Sequence, residues 1–261
     1  MVADPILLIG AAILGLCFGS FLNVCILRLV NAYKKLWSLF HPPSTCPSCR
    51  QPIAWRDNIP IVSWLLLRGR CRRCGHAISR QYPIVEAVVG VLWIAAMAAY
   101  GPTVHFLAAA LFGTILLGIA VTDARHYLIP DEYNWAGLII GLGASLTAGV
   151  PGFKDAVLGA ATGFALLYAV GVVGRWVFRE EAMGGGDIKM MAMVGAFVGW
   201  KGVLLTVFAA SVFGSLVYVP LLLRGKNRHV PFGVFLAMGA AVVFVFRDAI
   251  IDWYLRFLRP G

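Results

Sequence analysis

Two short segments, TDARHYLIPDE and REEAMGGGD, hold six of the 12 acidic residues in the chain. Asp123 closes one apolar run, and Asp187 opens another directly behind Gly184, Gly185 and Gly186. Two carboxylates that face one another share a proton, the state needed to activate a water as base while protonating a scissile carbonyl as acid. The glycines suit that chemistry: without Cβ atoms they let an extended substrate backbone come close, and they let the loop re-aim the carboxylate. Two other readings of the same residues stand beside it. One is an ion pair from Asp187 to Lys189 or Arg125; the other is coordination of a cation at a membrane edge.

A second constellation is CPSCRQPIAWRDNIPIVSWLLLRGRCRRCG. Cys46 and Cys49 form one CxxC and Cys71 and Cys74 another, with 21 residues between them. Two such knuckles bring four thiolates onto one Zn²⁺, and the flanking Arg70, Arg72 and Arg73 favour thiolates electrostatically. With all four positions filled by sulfur, the expected metal is structural, stapling a segment too short to hold a core of its own. Disulfides are the competing reading and do not suit a reducing compartment. His76 is expected to be a surface residue, and Cys17 and Cys25, inside the first apolar run, packed thiols.

The elements that must position these groups are mostly membrane helices. The chain has 261 residues, 60% hydrophobic and 13% charged, with a mean hydropathy of +0.83; soluble domains carry about twice that charge. Apolar runs fall at about 5–29, 83–100, 104–122, 134–150, 155–174, 189–200, 202–223 and 231–247. The expected fold is an all-α polytopic membrane protein of about eight transmembrane helices, with a small cytoplasmic zinc-binding insertion. The run at 189–200 is short for a full span and reads as a half-helix completed by its neighbours. Pairs of glycines four apart, Gly15 and Gly19, Gly137 and Gly141, Gly159 and Gly163, Gly195 and Gly199, predict close helix contacts.

The formal charge of +10 is distributed as a topology signal, not as a groove for nucleic acid. Loops 30–82, 123–133, 175–188 and 224–230, with Arg28 and Lys189 at their edges, carry 17 of the 22 Lys and Arg. The positive-inside rule puts those loops in the cytoplasm and both termini outside. The first run lacks the basic start of a cleavable signal and is expected to be retained.

Taken in order along the chain, GSFLNVCILRL, the paired CxxC knuckles, YPIVEAVVG, TDARHYLIPDEYN, MGGGDIKMMAMVGAFVGW and VPFGVFLAMG resemble the bacterial type IV prepilin peptidases. These are bifunctional leader peptidases and N-methyltransferases of the G-x-G-D class of intramembrane aspartyl proteases. The resemblance covers nearly the whole chain. It implies a division into a first transmembrane helix (1–30), a zinc module (31–82) and a transmembrane peptidase core (83–261), in the bacterial inner membrane, with Asp123 and Asp187 as the dyad. The implied substrates are type IV prepilins and type II secretion pseudopilins, cut after the glycine of a short basic leader and then methylated with S-adenosyl-L-methionine.

Such a substrate matches the local charge. Segments 123–133 and 175–189 hold six acids against Arg125, Arg175, Arg179 and Lys189, so Asp131, Glu132, Glu180 and Glu181 are expected to help receive the leader's Lys and Arg. No serine sits in a nucleophile elbow. No Rossmann unit with a glycine-rich turn is visible either. The methyl donor is therefore expected between the zinc loop and the cytoplasmic helix ends. Glu86 is the candidate contact for the donor or the amine, with helix packing or hydrogen bonding the alternative for it and for Asn23. A competing function is a zinc-bearing membrane scaffold for pilus or secretion assembly that performs no chemistry. A third reading is a peptidase that has lost methylation; the presence of all four cysteines favours both activities.

Overall fold

The structure, a computed structural model, describes residues 4–30, 39, 43–147, 151–180, 183–225 and 230–258. Long helices dominate, because a chain in hydrocarbon must satisfy its backbone polar groups internally. Among the described residues five helices are long and apolar enough to cross a membrane, and a shorter apolar one lies at Phe232–Arg247. The protein is thus an all-helical, multi-pass membrane protein. Its eight expected apolar runs lie in seven helices, since the sixth and seventh runs share one. The chain divides into two compact units, Met1–Thr114 and Ile115–Gly261.

In the first unit, helix α1 (Pro5–Arg28) packs on α3 (Gln81–Tyr100). Asp4 caps α1 by accepting from the Ile6 amide at 2.9 Å, and Pro5 supplies the preset φ of a first helical residue. Gly15 and Gly19 let the helices touch: a Cβ at Gly15 would lie 2.8 Å from Trp93 Cβ, and one at Gly19 2.7 Å from the Glu86 Cα. Trp93 is fully buried, stacks on Phe18, and donates its indole N–H to Thr114 Oγ1 at 3.1 Å. Buried Asn23 donates to the Tyr82 carbonyl at 3.2 Å, so it serves helix packing. Between α1 and α3 lie the two cysteine knuckles and a short helix α2 (Val62–Leu66).

Helix α4 (Val104–His126) ends in the second unit, followed by α5 (Asp131–Ser145), α6 (Phe153–Phe178), α7 (Gly185–Leu223) and α8 (Phe232–Leu258). Helix α7 is the hub, packed on α5, α6 and α8. At about 1.5 Å per residue an unbroken α7 would far exceed the roughly 30 Å of a bilayer core. Gly199 interrupts it, with φ 69° and ψ 173°, leaving the expected half-helix on one side and a full span on the other. The carbonyl of Val198 that this break orphans accepts from Arg247 Nη1 of α8 at 3.0 Å. Against α6, backbone meets backbone: a Cβ at Gly159 or Gly195 would collide with the other's carbonyl oxygen, and one at Gly163 with that of Met191. Gly137 and Gly141 of α5 sit equally tightly against Met193 and Phe197 of α7.

Candidate active site

Asp123 lies in the last turn of α4 and is buried. Its Oδ2 accepts the Val234 amide at 3.2 Å, and the carboxylate is also bonded by the Gly233 amide, both in the opening turn of α8. The first amides of a helix have no intrahelical acceptor, so they are ready donors for a carboxylate. Gly233 leaves room for this contact: a Cβ there would stand 2.9 Å from Asp123 Oδ2 and 2.7 Å from Ile129 Cδ1, so one of these side chains would have to move.

Asp187 lies in the first turn of α7, half-buried, within electrostatic range of Asp123. Its carboxylate folds back on the N-cap residue Gly184, which bonds it through the backbone. Oδ1 is buried and has no hydrogen-bond partner. The three glycines differ in what they do here. A Cβ at Gly184 would come 2.9 Å from Asp187 Oδ2, and one at Gly186 2.9 Å from Ile129 Cβ, whereas one at Gly185 would meet nothing within 4 Å. Two of them therefore make room for the fold itself, and Gly185 presents open backbone.

The N-terminal part of α5 and the turn before it reach both carboxylate supports. Ile129 is buried against Gly186 and Gly233, and Asn134 Nδ2 donates to the Gly186 carbonyl at 3.5 Å. Asp131 pairs with Lys189 at 2.6 Å, between side chains 51% and 43% exposed, so Lys189 is engaged by Asp131. Of the other acids proposed to meet substrate, Glu132 is half-buried and Glu180 exposed; Glu181 lies outside the described residues. Gly233, Val234, Ile129 and Asn134 carried no signal in the sequence beyond their place in the quoted motifs.

In the first unit the four cysteines converge. The Sγ atoms of Cys46, Cys49, Cys71 and Cys74 all lie within 4.8 Å of one another, and those of Cys46 and Cys74 are 3.7 Å apart. A tetrahedron of sulfurs about 2.3 Å from zinc has edges of about 3.8 Å, so the donor set and its spacing fit that ion. The two knuckles repeat one design. Arg50 and Gly75, both at positive φ, return their amides to the carbonyls of Cys46 and Cys71 at 2.8 and 2.9 Å. Amides of Cys74 and Arg73 pull the Cys71 thiol down to about 6. Cys49 rises to about 11: the Gln51 amide opposes the rise, but desolvation and the neighbouring thiols outweigh it. His76 is exposed and is not among the converging side chains. Arg72 holds Asp57 bidentately, with contacts of 2.7 and 3.0 Å, and keeps its carboxyl below the usual range.

The model of the bacterial peptidase A24 N-terminal domain matches residues 13–100, and that of the type IV leader peptidase family matches residues 109–219. A protein of Aeromonas hydrophila is 34% identical over 92% of this chain and 91% of its own length, and one of Xanthomonas campestris is 35% identical over 95% and 94%. The chain belongs to the type IV leader peptidase family. A Myxococcus xanthus relative is 38% identical over 84% of this chain, which spans only 64% of that longer protein. All three relatives bear the name prepilin leader peptidase/N-methyltransferase. No solved structure matches the chain.

Within the leader peptidase segment fall both aspartates, the glycine turn, Ile129 and Asn134; the amides that hold Asp123 lie beyond its end. The cysteines and Glu86 fall in the N-terminal segment. Glu86 is buried, and its Oε2 accepts the Ile61 amide at 2.7 Å while Ser20 bonds it as well. Ile61 sits at φ 60°, an unfavourable value for a β-branched residue. Glu86 thus anchors a strained turn at the start of α2, and its carboxylate is already engaged.

Proposed function

We propose that the protein is an intramembrane aspartyl peptidase that removes the basic leader of type IV prepilins and type II secretion pseudopilins after its glycine. It then methylates the new N-terminus. The observation that carries this reading is the pairing of Asp123 and Asp187. One carboxylate is fixed by helix amides, and the other, on a glycine turn, keeps an unpartnered buried oxygen. A water held between them loses a proton to one carboxylate as its oxygen bonds to the scissile carbonyl carbon. The other, in its carboxylic acid form, protonates the carbonyl oxygen, and collapse of the tetrahedral intermediate breaks the C–N bond as the amine takes a proton.

Open backbone at Gly185 suits an extended substrate, and Glu132 and Glu180 suit a basic leader. Asp131 would have to leave Lys189 to contribute. Cys46, Cys49, Cys71 and Cys74 would hold zinc, which supplies structural closure and no open coordination position. The methyl donor would be S-adenosyl-L-methionine, in keeping with the relatives' name. Glu86, the candidate contact for that cofactor or the amine, already accepts the Ile61 amide and is bonded by Ser20, so any such contact would use its remaining lone pairs. The positive loops favour the bacterial inner membrane, with the cysteine module and the dyad on the cytoplasmic side.

The test is cleavage of a purified prepilin in detergent by wild type, Asp123→Asn and Asp187→Asn, with melting temperatures recorded. Losses of about a hundredfold or more in both folded variants are expected. Substantial cleavage by either variant would leave the glycine turn as a hinge or cation site and return the scaffold reading.

A further inference from the structure

We infer that Asn134 is the positioning residue of the Asp187 turn, a role that rests on the peptidase reading above. Asn134 stands in the first turn or so of α5 and is only 3% exposed. Its Nδ2 reaches the carbonyl of Gly186, the peptide group joined directly to Asp187. The other tie between α5 and the start of α7, Asp131 to Lys189, is solvent-exposed, and such pairs fix geometry weakly. Three successive glycines leave the turn without side chains of its own to hold it. Ile129 packs on its last glycine, and the buried Asn134 amide adds a hydrogen bond to that peptide from outside.

The second end of the same side chain separates this role from packing. Asn134 Oδ1 is buried without a hydrogen-bond partner, as is Asp187 Oδ1. Buried polar oxygens in folded proteins are almost always paired, with protein or with an ordered water. An asparagine kept only for helix packing would use both ends, as Asn23 does: it donates to the Gly19 and Tyr82 carbonyls and accepts from Gln81. Asn134 instead commits its donor to the turn and leaves an acceptor for a group that arrives with water or substrate.

The experiment compares wild type, Asp187→Asn, Asn134→Ala and the near-isosteric Asn134→Asp, measuring kcat, KM and melting temperature across pH on a purified prepilin. Asn134→Ala should lower kcat about tenfold or more, the scale of a sub-ångström misplacement, with KM within about twofold. Asn134→Asp lacks the donor while ionised and regains one when protonated. Its kcat relative to wild type at the same pH should therefore recover as pH falls, while the alanine deficit stays flat. Wild-type kcat in either folded variant at neutral pH and above, or parallel deficits of both at every pH, would overturn the inference and leave the peptidase reading intact. A wild type that does not cleave, or an Asp187→Asn that does, would remove that reading and the inference with it.

Discussion

Gly233→Ala puts one methyl group between the start of α8 and the carboxylate that it holds. The added Cβ would lie 2.9 Å from Asp123 Oδ2, whereas ordinary contact begins at 3.4 Å, so the oxygen must retreat by about 0.5 Å. That retreat lengthens or bends the 3.2 Å bond from the Val234 amide, by up to about 0.5 Å, and so weakens or breaks it. Ile129, 2.7 Å from the same Cβ, resists the alternative of shifting the helix instead. A lost hydrogen bond to a charged group is worth about 1.5–3 kcal/mol. Carried into the transition state, that is roughly a 10- to 150-fold fall in kcat. The assay is prepilin cleavage in detergent beside Gly143→Ala, a helical position where a Cβ meets nothing within 4 Å and no loss is expected. Gly233→Ala cleaving within twofold of wild type, at an unchanged melting temperature, would refute the claim that α8 positions Asp123.

Gly195→Ala forces a methyl group into the backbone of α6, where no rotamer can yield, and should cost at least about 1–3 kcal/mol as a lower melting temperature. Arg247→Leu leaves the Val198 carbonyl at the helix break without that donor and should cost about 1–3 kcal/mol, read the same way. Zinc titrated into metal-free protein at neutral pH should bind once per chain and release protons. Cys49, held up near 11, must lose one to become a ligand, while Cys71, near 6, is mostly a thiolate already. Calorimetry in buffers of different ionisation enthalpy reads the count, and binding without proton release would contradict the assignment.

The helices were legible because hydrocarbon imposes a local rule: each run of apolar residues announces itself without reference to any other part of the chain. The cysteine site was legible for a related reason, since CxxC spacing makes half of the geometry local. The aspartates showed themselves by type and by their place at the ends of apolar runs. Their supports did not. Val234 meets Asp123 across 111 positions and Asn134 meets Gly186 across 52, and neither contact leaves a periodicity or spacing to read. The glycines were half-legible. A close contact was expected of each spaced pair, and the α1, α5 and α6 pairs make it, but only geometry separates Gly199, kept for its positive φ, from Gly195, kept for want of space. For the glycine turn, the sequence reading was substrate approach; the geometry adds a packing reason for Gly184, against Asp187, and for Gly186, against Ile129, and none for Gly185.

The amides that hold Asp123 come from residues 233 and 234, in a helix synthesised after both aspartates. A nascent chain that has entered the membrane through residue 223 already carries both carboxylates, but nothing yet fixes the first of them. Fixing of Asp123 therefore waits on the synthesis of α8. On the peptidase reading, the order of translation thus delays assembly of the dyad until α8 has been made.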